Sequence, residues 1–129
     1  MKLFLLFSHT LTPMQIEDAK ASLGVDEFVY LPDDIQALWS QIPADIADIT
    51  PYLLPIKEYL QTHLSQEDLL LIQGDFGATY TMVDFVKSLG IKAIYSTNKR
   101  QAIEQRIDDK VIKKSIFVHA IYREYACAS

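Results

Sequence analysis

The sequence predicts an α/β fold, with a mostly parallel sheet flanked by helices and an antiparallel β-hairpin extension at its carboxyl end. Three observations predict it. The chain opens on a continuous apolar run, Lys2–Ser8, of the kind a strand buried on both faces needs. Further short apolar runs then alternate with stretches of helical period, the mark of a parallel sheet with helical crossovers. Beyond about residue 100 the apolar period falls to two, as in paired antiparallel strands. A chain of 129 residues is one domain's worth, 1–129, and should bury roughly two thirds of the surface its unfolded form exposes.

The elements follow in order. Thr12-Pro13-Met14-Gln15 opens the first helix: Thr12 caps, Pro13 suits the first helical position, and Gln15 completes a capping box. Ile16, Ala19 and Leu23 form its stripe, and Gly24 is its C-cap. Glu27–Leu31 is a short second strand. Pro32-Asp33-Asp34 starts a second helix with Ile35, Leu38, Trp39 and Ile42 on one face, ended by Pro43. Thr50-Pro51 opens a third, with Leu53, Ile56, Leu60 and Leu64 as its stripe; Pro55 points to a later start. Leu69–Ile72 is the third strand, and Gln73–Thr79 leads into a helix running to about Leu89. Met82, Val83 and Val86 face inward there, with Gly90 as cap. Lys92–Tyr95 is a fourth strand, ending in the turn Ser96–Arg100. A strand over Ile103–Ile107, a turn at Asp108-Asp109 and pairing across Val111–Tyr125 complete the extension.

Right-handed crossovers place the first and third strands side by side, with the second and fourth outside them. This is a Rossmann-like order. The chain moves outward in both directions from the central pair, so loops leave opposite faces and open a crevice at the strands' carboxyl ends. Three segments should meet there: Ser8-His9-Thr10, Gly74–Thr79 and Ser96–Arg100.

The net charge of −5 hides an asymmetry: residues 1–91 carry −9 and residues 92–129 carry +4. The carboxyl third can therefore offer a positive surface that the whole-chain charge conceals. The single cysteine, Cys127, cannot form an internal disulfide, which fits a reducing compartment. The opening apolar run is too short for a signal peptide, and no stretch approaches the ~20 apolar residues of a membrane helix. The expectation is a soluble, cytoplasmic protein.

Gly74 and Gly77 sit between a buried strand and a helix, where backbone N–H groups can approach an anion at the helix N-terminus. Asp75 can equally cap that turn. The run G-D-F-G-A-T is neither a Walker A loop nor G-x-G-x-x-G, so ATPase and dehydrogenase classes gain no support. Asn98-Lys99-Arg100 offers an amide, a point charge and a fork for phosphate oxygens. His9, flanked by the hydroxyls of Ser8 and Thr10, can exchange a proton near neutral pH. His119 reads as a core histidine on a face shared with Phe117, Ile121, Arg123 and Tyr125, and His63 as a surface residue. The three histidines and Cys127 lack metal-ligand spacing, so no metal or cofactor is expected.

The segments L-F-L-L-F-S-H-T-L-T, L-L-I-Q-G-D-F-G-A-T-Y, Y-S-T-N-K-R and S-I-F-V-H-A-I-Y-R-E-Y, in that order, resemble a small single-domain Csx-type CRISPR-associated family of type III systems. The resemblance covers nearly the whole chain. It implies a CARF-like fold, a homodimer, and a cyclic oligoadenylate second messenger lying across the two-fold axis, with no membrane and no long nucleic acid as partner. It also implies ring-nuclease activity, with the non-catalytic binder as the alternative. A third possibility is an interaction module that grips RNA or protein through Lys110, Lys113 and Lys114. Under the resemblance, Ser8, His9 and Thr10 lie beneath the ring. Gly74, Asp75, Phe76, Gly77, Ala78 and Thr79 hold phosphate and adenine, and Asn98, Lys99 and Arg100 close over the phosphates. His9, Lys99 and Arg100 are the catalytic candidates.

Overall fold

The computed structural model describes residues 1–126; Cys127 lies outside them. Five strands form one sheet in the order β2-β1-β3-β4-β5. β1 (Lys2–Phe7), β2 (Glu27–Tyr30), β3 (Leu69–Gln73) and the start of β4 (Lys92–Ile107) run parallel, and β5 (Lys110–Glu124) runs antiparallel to β4. The architecture is mixed α/β with the predicted strand order.

Side-chain alternation along these strands divides the core into two layers. Phe4, Leu6, Leu70, Ile72 and Ala93 face one side of the sheet. There they pack against Ile35 and Trp39 of α2 (Asp33–Ser40), Leu53, Ile56 and Leu60 of α3 (Thr50–His63), and Met82 and Val86 of α4 (Phe76–Ser88). Leu3, Leu5, Leu71 and Ile94 face the other side. That face is covered by Leu11, Val25 and the single helical arm α1 (Pro13–Asp18), which passes into a π-helical turn at Ala19–Leu23. The segment after β1 and the segment after β3 therefore leave on opposite faces. Among the described residues no helix is long and apolar enough to cross a membrane.

Local signals explain the helix ends. Thr12 and Gln15 form the capping box, with Thr12 N–H donating to Gln15 Oε1 at 2.9 Å and Gln15 N–H to Thr12 Oγ1 at 3.3 Å. Gly24 closes the π turn at φ +73°, a left-handed conformation that glycine adopts without strain. Asp75 caps α4, its carboxylate accepting from Ala78 N–H at 3.0 Å. α3 begins at Thr50 after all and carries Pro55 in its second turn.

Two expectations are corrected at the carboxyl end. Ser96–Arg100 is not a turn, and Ile103–Ile107 is not a separate strand: both belong to one sixteen-residue β4. The stretch is polar but contains no glycine or proline, and the β5 ladder satisfies the backbone groups that face it, while solvent meets the outward ones. The expected shared face of Phe117, His119, Ile121, Arg123 and Tyr125 is also broken. The register passes from Ser96↔Tyr122 to Asn98↔His119, so β5 carries one extra residue there. This bulge turns His119 and Tyr122 to the same side, with ring centroids 4.6 Å apart, while Tyr125 faces the opposite layer.

The register also explains Gly74. A Cβ at this position would lie 2.8 Å from the Trp39 ring, whose Nε1–H donates to Gln73 O at 3.1 Å. At Gly77 the nearest atoms to such a Cβ are at ordinary contact distance, 3.7 Å and beyond. Gly74→Ala should therefore destabilise the protein by about 1–3 kcal/mol in urea unfolding, because the indole must move. Gly77→Ala should be neutral or stabilising by up to about 1 kcal/mol. Equal stability of the two variants would contradict this packing account.

Candidate functional site

The carboxyl ends of three strands form one lip. Phe7↔Gln73 is the last β1–β3 pair, and Gln73 Oε1 accepts the Ser96 backbone N–H at 2.8 Å, tying the end of β3 to β4. Ser8-His9-Thr10 and Gly74–Thr79 thus start from neighbouring strand ends, and Asn98–Arg100 continues outward beside them. The register brings the starts of the three predicted segments to one edge.

Beneath that edge runs a buried hydrogen-bond circuit between α1 and the base of the β4–β5 ribbon. His119 Nε2 lies 2.6 Å from Asp18 Oδ2, and His119 Nδ1 lies 2.6 Å from Ser96 Oγ. Gln15 Nε2 donates to Ser96 Oγ at 3.3 Å. Gln15 and Asp18 stand one helical turn apart on α1, so both reach the sheet. The Asp18 carboxyl is held below the usual carboxylate range, first by the Ser22 hydroxyl and then by His119. An ionised Asp18 accepts the Nε2 proton of His119. In that tautomer Nδ1 accepts from the Ser96 hydroxyl, whose oxygen in turn accepts from Gln15. The Tyr122 hydroxyl donates to Gln15 O at 2.8 Å, and burial, reinforced by the Asp18 charge, pushes its pKa up to about 12. Tyr122 therefore stays a donor at neutral pH.

An open groove of about 930 Å³ lies over this circuit, lined by Met14, Glu17 and Asp18 of the helical arm and by Lys99, Arg100 and His119 of the ribbon, among others. Asp18 reaches its surface with a quarter of its side chain exposed, whereas the His119 side chain is 2% exposed. Because Asn98–Arg100 is strand, neighbours point to opposite faces. Asn98 and Arg100 share the face of Ser96, towards α1, and Lys99 faces away. The Arg100 guanidinium lies 5.6 Å from the ring centre of Phe117, its cross-strand partner. The expectation that Asn98, Lys99 and Arg100 close together as a turn is corrected by this alternation.

The glycine segment lies on the other layer. Asp75 already occupies the start of α4, taking the Ala78 N–H with its carboxylate, and Ala78 itself is fully buried. What the segment presents outward is Phe76, 95% exposed, with Tyr80 one turn on also exposed. Phe76 and Thr79 border a hollow of about 340 Å³ shared with Gln73, Gly74, Tyr95 and Tyr125. Thr79 Oγ1 is buried without a hydrogen-bond partner among the described residues.

Ser8, His9 and Thr10 are exposed, and the His9 ring meets Phe7 edge-on at 5.4 Å. The groove over Asp18 and the hollow beside Phe76 are lined by neither His9 nor its two neighbours. His63 is exposed and stacks on Tyr59. Sequence reasoning missed Asp18, Gln15 as more than a cap, Ser96 and Tyr122. A polar Gln15 and Asp18 flanking the apolar stripe of a short helix was the available signal.

A profile of the family described as "Uncharacterized protein MJ1673 family" matches residues 1–123. The chain is 53% identical over 124 residues to "Uncharacterized protein MJ1673" of Methanocaldococcus jannaschii, with 96% of each chain covered. No solved structure matches it.

The circuit predicts an acid-sensitive stability. An unfolded Asp titrates near pH 3.9, while folded Asp18 takes a proton only at lower pH. The unfolded state then binds more protons in between, so this contribution is complete above about pH 4 and is lost as pH falls through the folded value. Asp18→Asn should flatten the fall of the urea midpoint between pH 5 and pH 3. Asp26, beside the N-terminal amine, and Asp48, bonded to Thr50, are also held low, so the acid limb should shrink without vanishing. A variant with the parent's pH profile would remove Asp18 from this role.

Proposed function

We propose that this chain, which belongs to the MJ1673 family, is a Rossmann-like, CARF-like ring nuclease that opens a cyclic oligoadenylate, cyclic tetra-adenylate foremost, and so switches off type III CRISPR signalling. One observation carries the reading: the segments that hold His9, Phe76 and Arg100 start from one carboxyl edge of a sheet whose central strands send their loops to opposite faces. The Phe76 ring and the Arg100–Phe117 pair suit a ligand with repeating bases and phosphates.

The reaction asks little covalent chemistry of the protein. A ribose 2′-oxygen attacks the adjacent phosphorus, the bond from phosphorus to the 5′-oxygen breaks, and the 2′ proton leaves to a base. A proton returned to the 5′-oxygen completes the balance. The product is a linear oligoadenylate with a 2′,3′-cyclic phosphate at one end and a 5′-hydroxyl at the other. Arg100 would stabilise charge developing on phosphate, and Lys99, on the opposite face of the strand, would add only to the positive field that draws the ligand in. The exposed imidazole of His9 is the acid–base group in this reading. The Phe76 ring would meet a base.

A second reading, a non-catalytic binder, is favoured by one specific feature. His119, the imidazole that borders the groove, has both nitrogens engaged and almost no exposure.

Incubation with cyclic tetra-adenylate in EDTA, followed by chromatography, should yield the linear cyclic-phosphate product. Arg100→Ala should slow it about 10²–10³-fold, and His9→Ala about 10²–10⁴-fold. Tight binding with no turnover would select the binder. Neither binding nor cleavage of rings of any size would falsify both.

A further inference from the structure

The β4–β5 ribbon has a face that nothing among the described residues covers, and we infer that this face is where a second copy of the chain docks. Every residue from Asn98 to Phe117 is exposed. Ten consecutive cross-strand pairs, from Asn98↔His119 to Ile107↔Lys110, make up this ribbon. The tip is a two-residue turn with both Asp108 (φ +49°) and Asp109 (φ +65°) left-handed, as a type I′ turn needs. At about 3.4 Å per residue the ribbon reaches about 34 Å beyond its base.

Its two faces differ in chemistry. Paired residues share a face. One face carries Asn98, Arg100, Phe117, Ala102, Ser115, Glu104, Lys113, Arg106 and Val111, and continues into the groove. The opposite face carries Ile103, Ile107, Ile112, Ile116 and Val118, spaced by Gln101 and Gln105 and rimmed by Lys99, Lys110 and Lys114. The four isoleucines are 39–49% exposed. A stripe of β-branched residues on one face of a two-stranded ribbon is a half-built sandwich, and an isolated ribbon is marginal in water.

Area and charge point to a second copy as the occupant. The stripe is self-complementary, as an isologous two-fold contact requires. The stripe offers five aliphatic side chains, whereas a stable interface of about 1,200 Å² or more takes about 20–30 residues a side. The ribbon must therefore also lie against its partner's body. Charge complementarity favours that. Residues 98–119 hold six basic side chains against Glu104, Asp108 and Asp109, net +3, and the remainder of the chain is left with −8. A basic arm on an acidic body is an attractive pair. An RNA partner would use the cations but would leave the isoleucine stripe without a role. The contact lies on the ribbon face turned away from Arg100, so a ring bound at Arg100 plays no part in it, and it needs no ligand.

Sedimentation equilibrium of the full chain without ligand tests it, separately from any assay of ring cleavage. The parent protein should be dimeric at micromolar concentration. Ile103→Lys combined with Ile116→Lys should raise the dissociation constant about 100-fold while leaving the far-ultraviolet circular dichroism unchanged. Lys110→Glu with Lys114→Glu, both on the rim of the stripe, should weaken association less, and raising the salt should reproduce that loss. A parent that stays monomeric at 100-fold higher concentration, about 10⁻⁴ M, overturns the inference, whether or not it binds single-stranded RNA. So does a dimer indifferent to both double variants.

Discussion

The circuit joining Gln15, Ser96, His119 and Asp18 is the constraint on which the carboxyl half of this molecule depends. It joins α1 to the β4–β5 ribbon across as many as 101 positions of sequence, and each member is satisfied by the next. Buried polar groups cost free energy unless paired, so such a circuit favours one arrangement of helix and ribbon and penalises slippage between them. The β5 bulge is part of it. Without the extra residue, His119 and Tyr122 would point to opposite sides of the sheet, and only one of them would reach α1. Two tyrosines complete the clamp: Tyr122 bonds Gln15 O on one layer, and Tyr125 bonds Ile72 O at 2.6 Å on the other. The ribbon therefore leaves the body as a cantilever held on both faces at its root.

Much of the fold was readable from residue chemistry. Thr12-Pro13-Met14-Gln15, Gly24 and Asp75 announced helix ends because caps are local, and local physics does not need the rest of the chain. The strand order followed from connection rules acting on three buried apolar runs. The ribbon was misread in two places for one reason. Polar, charged residues resemble a loop when the partner that satisfies their backbone lies twenty residues further on. A bulge has no sequence signal of its own here, so the faces of β5 could not be assigned by counting in twos.

The site was less legible than the fold. Gly74 was singled out as a residue that admits a phosphate, yet its missing side chain makes room for Trp39. Glycine at a strand–helix junction reports close approach of something, and the sequence does not say whether that is a ligand or an indole. His119 was read as core, which its burial bears out, but its value lies in holding Asp18 at the groove's surface. The distinction between a packed histidine and a bridging one rests on Ser96 and Asp18, residues 23 and 101 positions away.

The alternation of β4 has a larger consequence than its correction suggests. A turn at Asn98-Lys99-Arg100 would have placed amide, ammonium and guanidinium on one ligand. A strand divides them: Arg100 stacks on Phe117 towards α1, and Lys99 joins the rim of the isoleucine stripe. The same two strands thus carry two surfaces with different chemistry, one with the Arg100–Phe117 pair, one with an isoleucine stripe rimmed by lysines. Because successive residues serve different faces, substitutions one position apart act on different surfaces. In a ribbon that no helix flanks among the described residues, that period of two separates them, and the type I′ tip together with the clamped root keeps it in register.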